Sequence, residues 1–511
     1  MHSPLHEQLM QPASTPVFNK PLESSTRKWD ILTNIPYIRL IVSVIFALIV
    51  LIGLVKSLTI GTSTPFLLPL LATVLSTIAI AVIDFREKYG TTYMRIGFHV
   101  GMLAFLSGYP ILAPEEIPSH DENVRFTAGL SLVLCVIGFE LGYWMLRTVS
   151  GFPKPRAPFV LVANNYAWTN RLLFIGIAMY ALFLTYAVAS SGRSLYSILF
   201  VLRGQFQINQ EEVLINADEN RNQIASMIAY GRYMAAAAAT ILLLSPNPFK
   251  LPVYKTIAWL VLIMNAFVGL NSGSGGSRSS FLLSAVPLIT TAWIYAGTYK
   301  SIRQIRPALA LILLFLIFFG MQYLSGSRNQ GMIVGDDVNV RFDEVELDDT
   351  RSLTAFAIYK DYEMVIGGFP DKAPFQNGAS LVPIVTGWIP RRFWPDKPYP
   401  FTHVANSIVG FNVATVSIAS GFPAEGYGNF GYLGVLLWGA LFGLACGFAD
   451  YRLTNLRPGH PLSLVMRGMM AVWAAIIVRG GTAEMFYMGV FPIGFMWICL
   501  YFSDPRLRKP V

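Results

Sequence analysis

GFPAEGYGNFGYLGVLLWGALFGLACG, Gly421–Gly447, decides how this chain is read. It opens as a polar, glycine-rich turn and passes into an apolar run that reads as a helix without a break. A helical span of a bilayer needs about 20 apolar residues, and this run supplies one. Glu425 is its only acid and stands at the mouth of that helix. Gly426, Gly428 and Gly431 let backbone approach a ligand closely. The helix N-terminus favours an anion beside them. Glu425 has a plainer explanation too: it caps that dipole or pairs with an arginine. GYGNFG matches G-x-G-x-x-G in letters, but no strand precedes it and an apolar span follows, so a dinucleotide site is excluded.

The rest of the chain has the same character. Of its 511 residues 54% are hydrophobic and 13% charged, against about 25% charged in a soluble domain. This is the composition of an all-α polytopic membrane protein. The net charge of +9 then reports loops on the cytoplasmic side rather than nucleic-acid binding. Apolar runs place twelve spans near 36–56, 64–84, 94–113, 125–146, 169–190, 224–244, 251–270, 279–298, 307–325, 431–449, 461–479 and 485–502. Alternate connections carry Arg86 and Lys88, Arg147, Lys154 and Arg156, Lys250, Lys300 and Arg303, Arg452 and Arg457, then Arg506, Arg508 and Lys509. The positive-inside rule puts these, with both termini, in the cytoplasm. The organisation expected is a disordered cytoplasmic tail (1–30), spans one to nine (31–325), a large outer loop or cap (326–430), and spans ten to twelve with the C-terminus (431–511). No apolar h-region marks a cleaved signal peptide. Cys135, Cys446 and Cys499 sit in apolar runs as small packing residues. The six histidines form no metal-ligand spacing, so no metal site is expected.

The outer connections carry the specific signals. Leu195, Ile198, Leu199 and Leu202 in Gly192–Asn222 fit one face of an interfacial helix. The insert Gly326–Phe430 runs 105 residues and holds Trp388, Trp394, Phe369, Phe375, Phe393 and Phe401. A loop this long and aromatic reads as a folded cap, with Asp349 or Thr350 as N-cap of a helix reaching Met364. Arg278, Arg328, Arg391, Arg392 and Arg479 lie at or beyond the outer ends of spans, against the charge bias. Each has a bland reading, snorkelling or a structural ion pair. Together they suit a phosphate-bearing ligand, which arginine grips bidentately without losing its proton. Glu484 and Asp396 are further outer carboxylates. His403 and Lys397 offer polar contacts, and Trp388, Trp394 and Tyr427 offer either sugar-stacking faces or a membrane-interface belt.

Three stretches in one multi-span chain, GSGGSRSSFLL, WIPRRFWPDKP and PAEGYGNFGYLGVLLWGALFG, resemble the Wzy-type O-antigen, or oligosaccharide repeat-unit, polymerases. The resemblance covers roughly spans five to twelve. It implies a GT-C-like glycosyltransferase of the bacterial inner membrane with a periplasmic site and no metal or nucleotide cofactor. Such an enzyme transfers a growing glycan from one undecaprenyl diphosphate carrier to the repeat unit on another, and a separate chain-length regulator accompanies such systems. On that reading Glu425, Arg278, Arg328 and Arg479 carry the chemistry. Arg391, Arg392, Lys397, His403, Tyr427, Trp388 and Glu484 bind substrate. The residues fit independently: a carboxylate takes or orients the acceptor proton, and fixed cations stabilise a departing diphosphate. Two rivals remain open. One is an O-antigen ligase-like transferase. The other is a lipid-linked oligosaccharide transporter, which would place ionisable groups deep in its spans, where this sequence reads as nearly uncharged. A membrane scaffold whose arginines bind anionic lipid is the blandest reading.

Overall fold

The computed structural model describes residues 47–53, 55, 64–86, 93–112, 121–150, 166–191, 228–244, 252–270, 278–298, 358–386, 389, 393–410, 419–455 and 460–503. Among these, all regular secondary structure is helical. The long helices are α1 (Thr64–Arg86), α2 (Tyr93–Gly101), α3 (Glu122–Ser150), α4 (Tyr166–Ser191), α5 (Gly231–Leu244), α6 (Pro252–Leu270) and α7 (Arg278–Thr298). Two short ones follow, α8 (Ile358–Ile366) and α9 (Phe401–Val409), then α10 (Phe422–Asn455), α11 (Pro461–Arg479) and α12 (Thr482–Ser503). Six are long and apolar enough to cross a membrane. Their outward faces carry Leu141, Met145, Phe174, Leu182, Leu433 and Leu441, all exposed. A face this apolar is stable only against lipid, so the chain is an α-helical, multi-pass membrane protein.

Small residues set the packing. Gly138 and Gly142 of α3 lie on α10, where a β-carbon on Gly142 would come within 2.0 Å of the Ala440 carbonyl oxygen. Gly97 and Gly101 of α2 lie likewise on Ala471 and Ala475 of α11. Spacing by four residues strips one face of side chains, and the helices meet backbone to backbone. These contacts run in register, so each pair is parallel. Arg479 beside Ser279, with Gly468 beside Val286, makes α11 and α7 antiparallel. Gly269 beside Phe281, with Asn265 bonded to Ser284, does the same for α6 and α7. Helix α5 is buried along its whole length, within a ring of α4, α6, α7, α11 and α12. Cys135, Cys446 and Cys499 are buried and unbridged, as packing residues.

The opening stretch differs from its expected form. It does not run unbroken into the span: α10 breaks at Phe430 (φ −143°, ψ 27°) and Gly431 (φ 61°, ψ −147°). A positive φ is costly for any residue with a β-carbon. The chain reverses here, so that a β-carbon on Gly434 would meet the Gly426 carbonyl oxygen at 2.0 Å. The result is a short arm, 422–429, folded back on the spanning arm, 432–455. The described part of the insert packs at this end. Phe369, Phe375 and Phe401 stack with centroids about 6 Å apart. Gln376 and Asn377 donate backbone N–H groups to Gly428 and Asn429.

Candidate functional site

Glu425 lies in the short arm of α10 and is fully buried. Its carboxylate meets the N-terminus of α12, 57 residues onward, rather than that of its own spanning arm. Oε2 accepts from the Thr482 backbone N–H and hydroxyl, both at 2.6 Å. Oε1 accepts from Ser380 Oγ at 2.8 Å. Asn429 completes the knot, donating from Nδ2 to Ser380 Oγ (2.8 Å) and to the Glu425 carbonyl (2.7 Å). A carboxylate at a helix N-terminus satisfies orphan amides and the dipole together. Glu425 therefore ties α10, the insert and α12 into one piece.

Arg479 closes α11 at the same place. Its carbonyl accepts from the Gly421 N–H (3.1 Å), and its Nη1 donates to Ser279 Oγ (3.1 Å) in the first turn of α7. Arg278 opens that turn, and Glu484 lies in the first turn of α12; their side chains fall outside the described residues. Asp361 on α8 faces this group electrostatically. Burial pushes its carboxyl up to about 6, while Lys360 and Arg479 pull it down. The sequence reading missed Asp361. Its signal was the charged run Lys360, Asp361 and Glu363 within the insert helix IYKDYEMVI.

Of the other expected site residues, Lys397 is nearly buried and its Nζ donates to the carbonyls of Ile389 (2.9 Å) and Thr386 (3.4 Å), closing the loop between them. His403 stacks on Tyr399 with centroids 4.5 Å apart. Tyr427 packs edge-on to Phe375 and Tyr432. Arg328, Arg391, Arg392 and Trp388, and the expected helix start at Asp349 or Thr350, lie outside the described residues.

The spans are less empty of charge than the sequence reading held. Toward the opposite end, Arg95 forms a two-pronged pair with Glu140 through Nε (2.8 Å) and Nη2. His99 Nε2 and Trp144 Nε1 meet the same carboxylate at 2.8 and 2.9 Å. Arg95 and His99 are buried. Asp450, also buried, accepts from the Met94 N–H (3.1 Å) and Tyr143 OH (3.1 Å), so it caps α2 from α10. Glu140 lies 45 residues from Arg95 and 41 from His99, and no local pattern announces its joining them.

The class is therefore a multi-pass helical protein whose one end carries a buried carboxylate, an arginine and two helix N-termini beneath a partly helical insert. Comparison with protein-family models, curated proteins and solved structures found no match.

Proposed function

We propose that the chain is a glycosyltransferase that polymerises oligosaccharide repeat units carried on undecaprenyl diphosphate. In this reading twelve spans form a GT-C-like scaffold in a bacterial inner membrane, both termini are cytoplasmic, and the Glu425 end faces the periplasm. The alternating helix directions support that layout. The observation that carries the function is the meeting of Arg479, Glu425, Asp361 and the starts of α7 and α12 at one end of the bundle. Cations there suit a lipid-borne diphosphate.

The acceptor hydroxyl oxygen attacks the anomeric carbon of the donor glycan. The bond from that carbon to the carrier's diphosphate breaks, its electron pair leaves on the diphosphate, and a carboxylate takes the hydroxyl proton. Glu425 fits this last role less well than its sequence position implies, because both its oxygens are committed to Ser380 and Thr482. It is a positioning residue. Asp361, pushed by burial up to about 6 within electrostatic reach of Arg479, is better suited to take the proton. Arg278, Arg328, Arg391, Arg392 and Arg479 share the diphosphate and sugar contacts.

The test is product formation by purified protein from its lipid-linked repeat unit, compared with lipid A core as acceptor. A ladder spaced by one repeat supports polymerisation; transfer only to the core supports the ligase. The buried Arg95–His99–Glu140 group favours a second reading, transport of the same lipid. A fluorescent-lipid translocation assay that responds to Glu140→Gln while the ladder does not form would replace the transferase reading with it.

A further inference from the structure

Arg232 sits in the first turn of α5, ahead of AAAAATILLL, and is 6% exposed. Its Nη2 donates to Ser284 Oγ (3.3 Å) and Ser280 Oγ (3.4 Å) of α7, and the Tyr233 ring lies 5.1 Å away. Nε and Nη1 are buried and have no hydrogen-bond partner among the described residues. Among the described residues no carboxylate pairs with it. A cation left in this state is strongly unfavourable unless an anion completes it. Snorkelling offers no relief, because α5 is ringed by five helices and has no lipid-facing side.

Through Nη2 the guanidinium lies against the first two turns of α7. That helix start carries its own unsatisfied backbone N–H groups, and Arg479 already reaches it through Ser279. From this juxtaposition we propose that Arg232, Arg479 and the N-terminus of α7 form a binding site for a phosphate-class anion, and that its occupant is the diphosphate of a polyprenyl carrier lipid. The site rests on the geometry; the identity of the occupant rests on the transferase reading. Two guanidinium groups and a helix dipole suit a group bearing more than one negative charge better than a single phosphodiester. The enclosed position of α5 also disfavours a bulk phospholipid headgroup.

The experiment titrates the full-length protein in nanodiscs with undecaprenyl diphosphate, and separately with phosphatidylglycerol. Arg232→Gln is expected to weaken diphosphate binding by about ten- to hundredfold, and Arg232→Lys by less. Phosphatidylglycerol binding is expected not to change. Without lipid, Arg232→Gln should unfold at the same temperature as wild type or higher, because it removes an unbalanced buried charge. Diphosphate binding that ignores Arg232→Gln would overturn the site. A parallel loss of phosphatidylglycerol binding would overturn its assignment to the carrier. A product ladder with Arg232-independent binding removes the site and leaves the transferase reading standing. Arg232-dependent binding without a ladder from authentic substrate keeps the site and removes that reading.

Discussion

Replacing Glu425 separates a carboxylate that holds the site together from one that does chemistry. In Glu425→Ala the Thr482 N–H and the Ser380 hydroxyl lose their acceptor in a buried place. Each orphan costs about 1–3 kcal/mol, and the lost partner of the α12 dipole adds about 0.3–1 kcal/mol. The sum, about 2–7 kcal/mol, is a large share of the roughly 5–15 kcal/mol that holds a typical protein folded. Glu425→Gln is gentler. Its amide oxygen keeps both Thr482 donors, while its NH2 faces a serine oxygen that already receives Asn429. Charge-assisted bonds are about twice as strong as neutral ones, so the loss is about 1–3 kcal/mol. Thermal unfolding in detergent should therefore rank wild type, then Gln, then Ala, with Ala giving little folded protein. Polymerisation by Glu425→Gln should be reduced yet measurable. A Gln variant with unchanged melting and no polymerisation would refute the reasoning, because it would make the carboxylate chemical rather than structural.

Other consequences follow from the same geometry. Transfer activity should rise as pH passes upward through about 6, where Asp361 loses its proton, and Asp361→Asn should lower the rate at least about a hundredfold; a flat pH–rate profile in the wild type would remove Asp361 from the chemistry. Glu363 of α8, with Oε1 3.8 Å from Arg125 Nε of α3, is pushed by burial from 4.5 to about 7 despite Arg125. A carboxyl raised on folding contributes stability that is complete below about 4.5 and lost as pH rises through about 7. The difference is on the order of 3 kcal/mol, so melting should be higher at pH 5 than at pH 8, and Glu363→Gln should flatten that slope. Glu140→Gln should destabilise by about 3–5 kcal/mol by leaving Arg95 buried without its counter-charge, whereas Arg95→Met with Glu140→Leu should restore most of the loss; equal melting of the single and double variants would contradict this.

The membrane-spanning pattern was legible because apolar runs of fixed length have few alternatives. Helices α4, α6, α7, α11 and α12 begin and end within three residues of their expected places. The break at Phe430–Gly431 was not legible. The same glycines that permit it also read as a turn before a helix, and only the contact of Gly426 with Gly434 distinguishes the two. The site was half visible. Arg479 and Glu425 stood out as charges at span ends, and the structure brings both to the first turns of α7 and α12. That Glu425 serves α12 depends on Thr482, a distant and ordinary residue. Arg232 escaped notice because one arginine before an alanine run looks like a boundary, and nothing in the letters says that its helix is central. The Arg95–Glu140 pair was not legible either, because its members come from two different spans.

The central claim is that this chain joins lipid-linked repeat units. The most direct measurement incubates purified protein with undecaprenyl diphosphate-linked repeat unit alone and resolves the products by size. The account predicts a ladder spaced by one repeat unit, lost in Asp361→Asn and weakened in Glu425→Gln. Folded protein that leaves authentic substrate at a single repeat unit would contradict it.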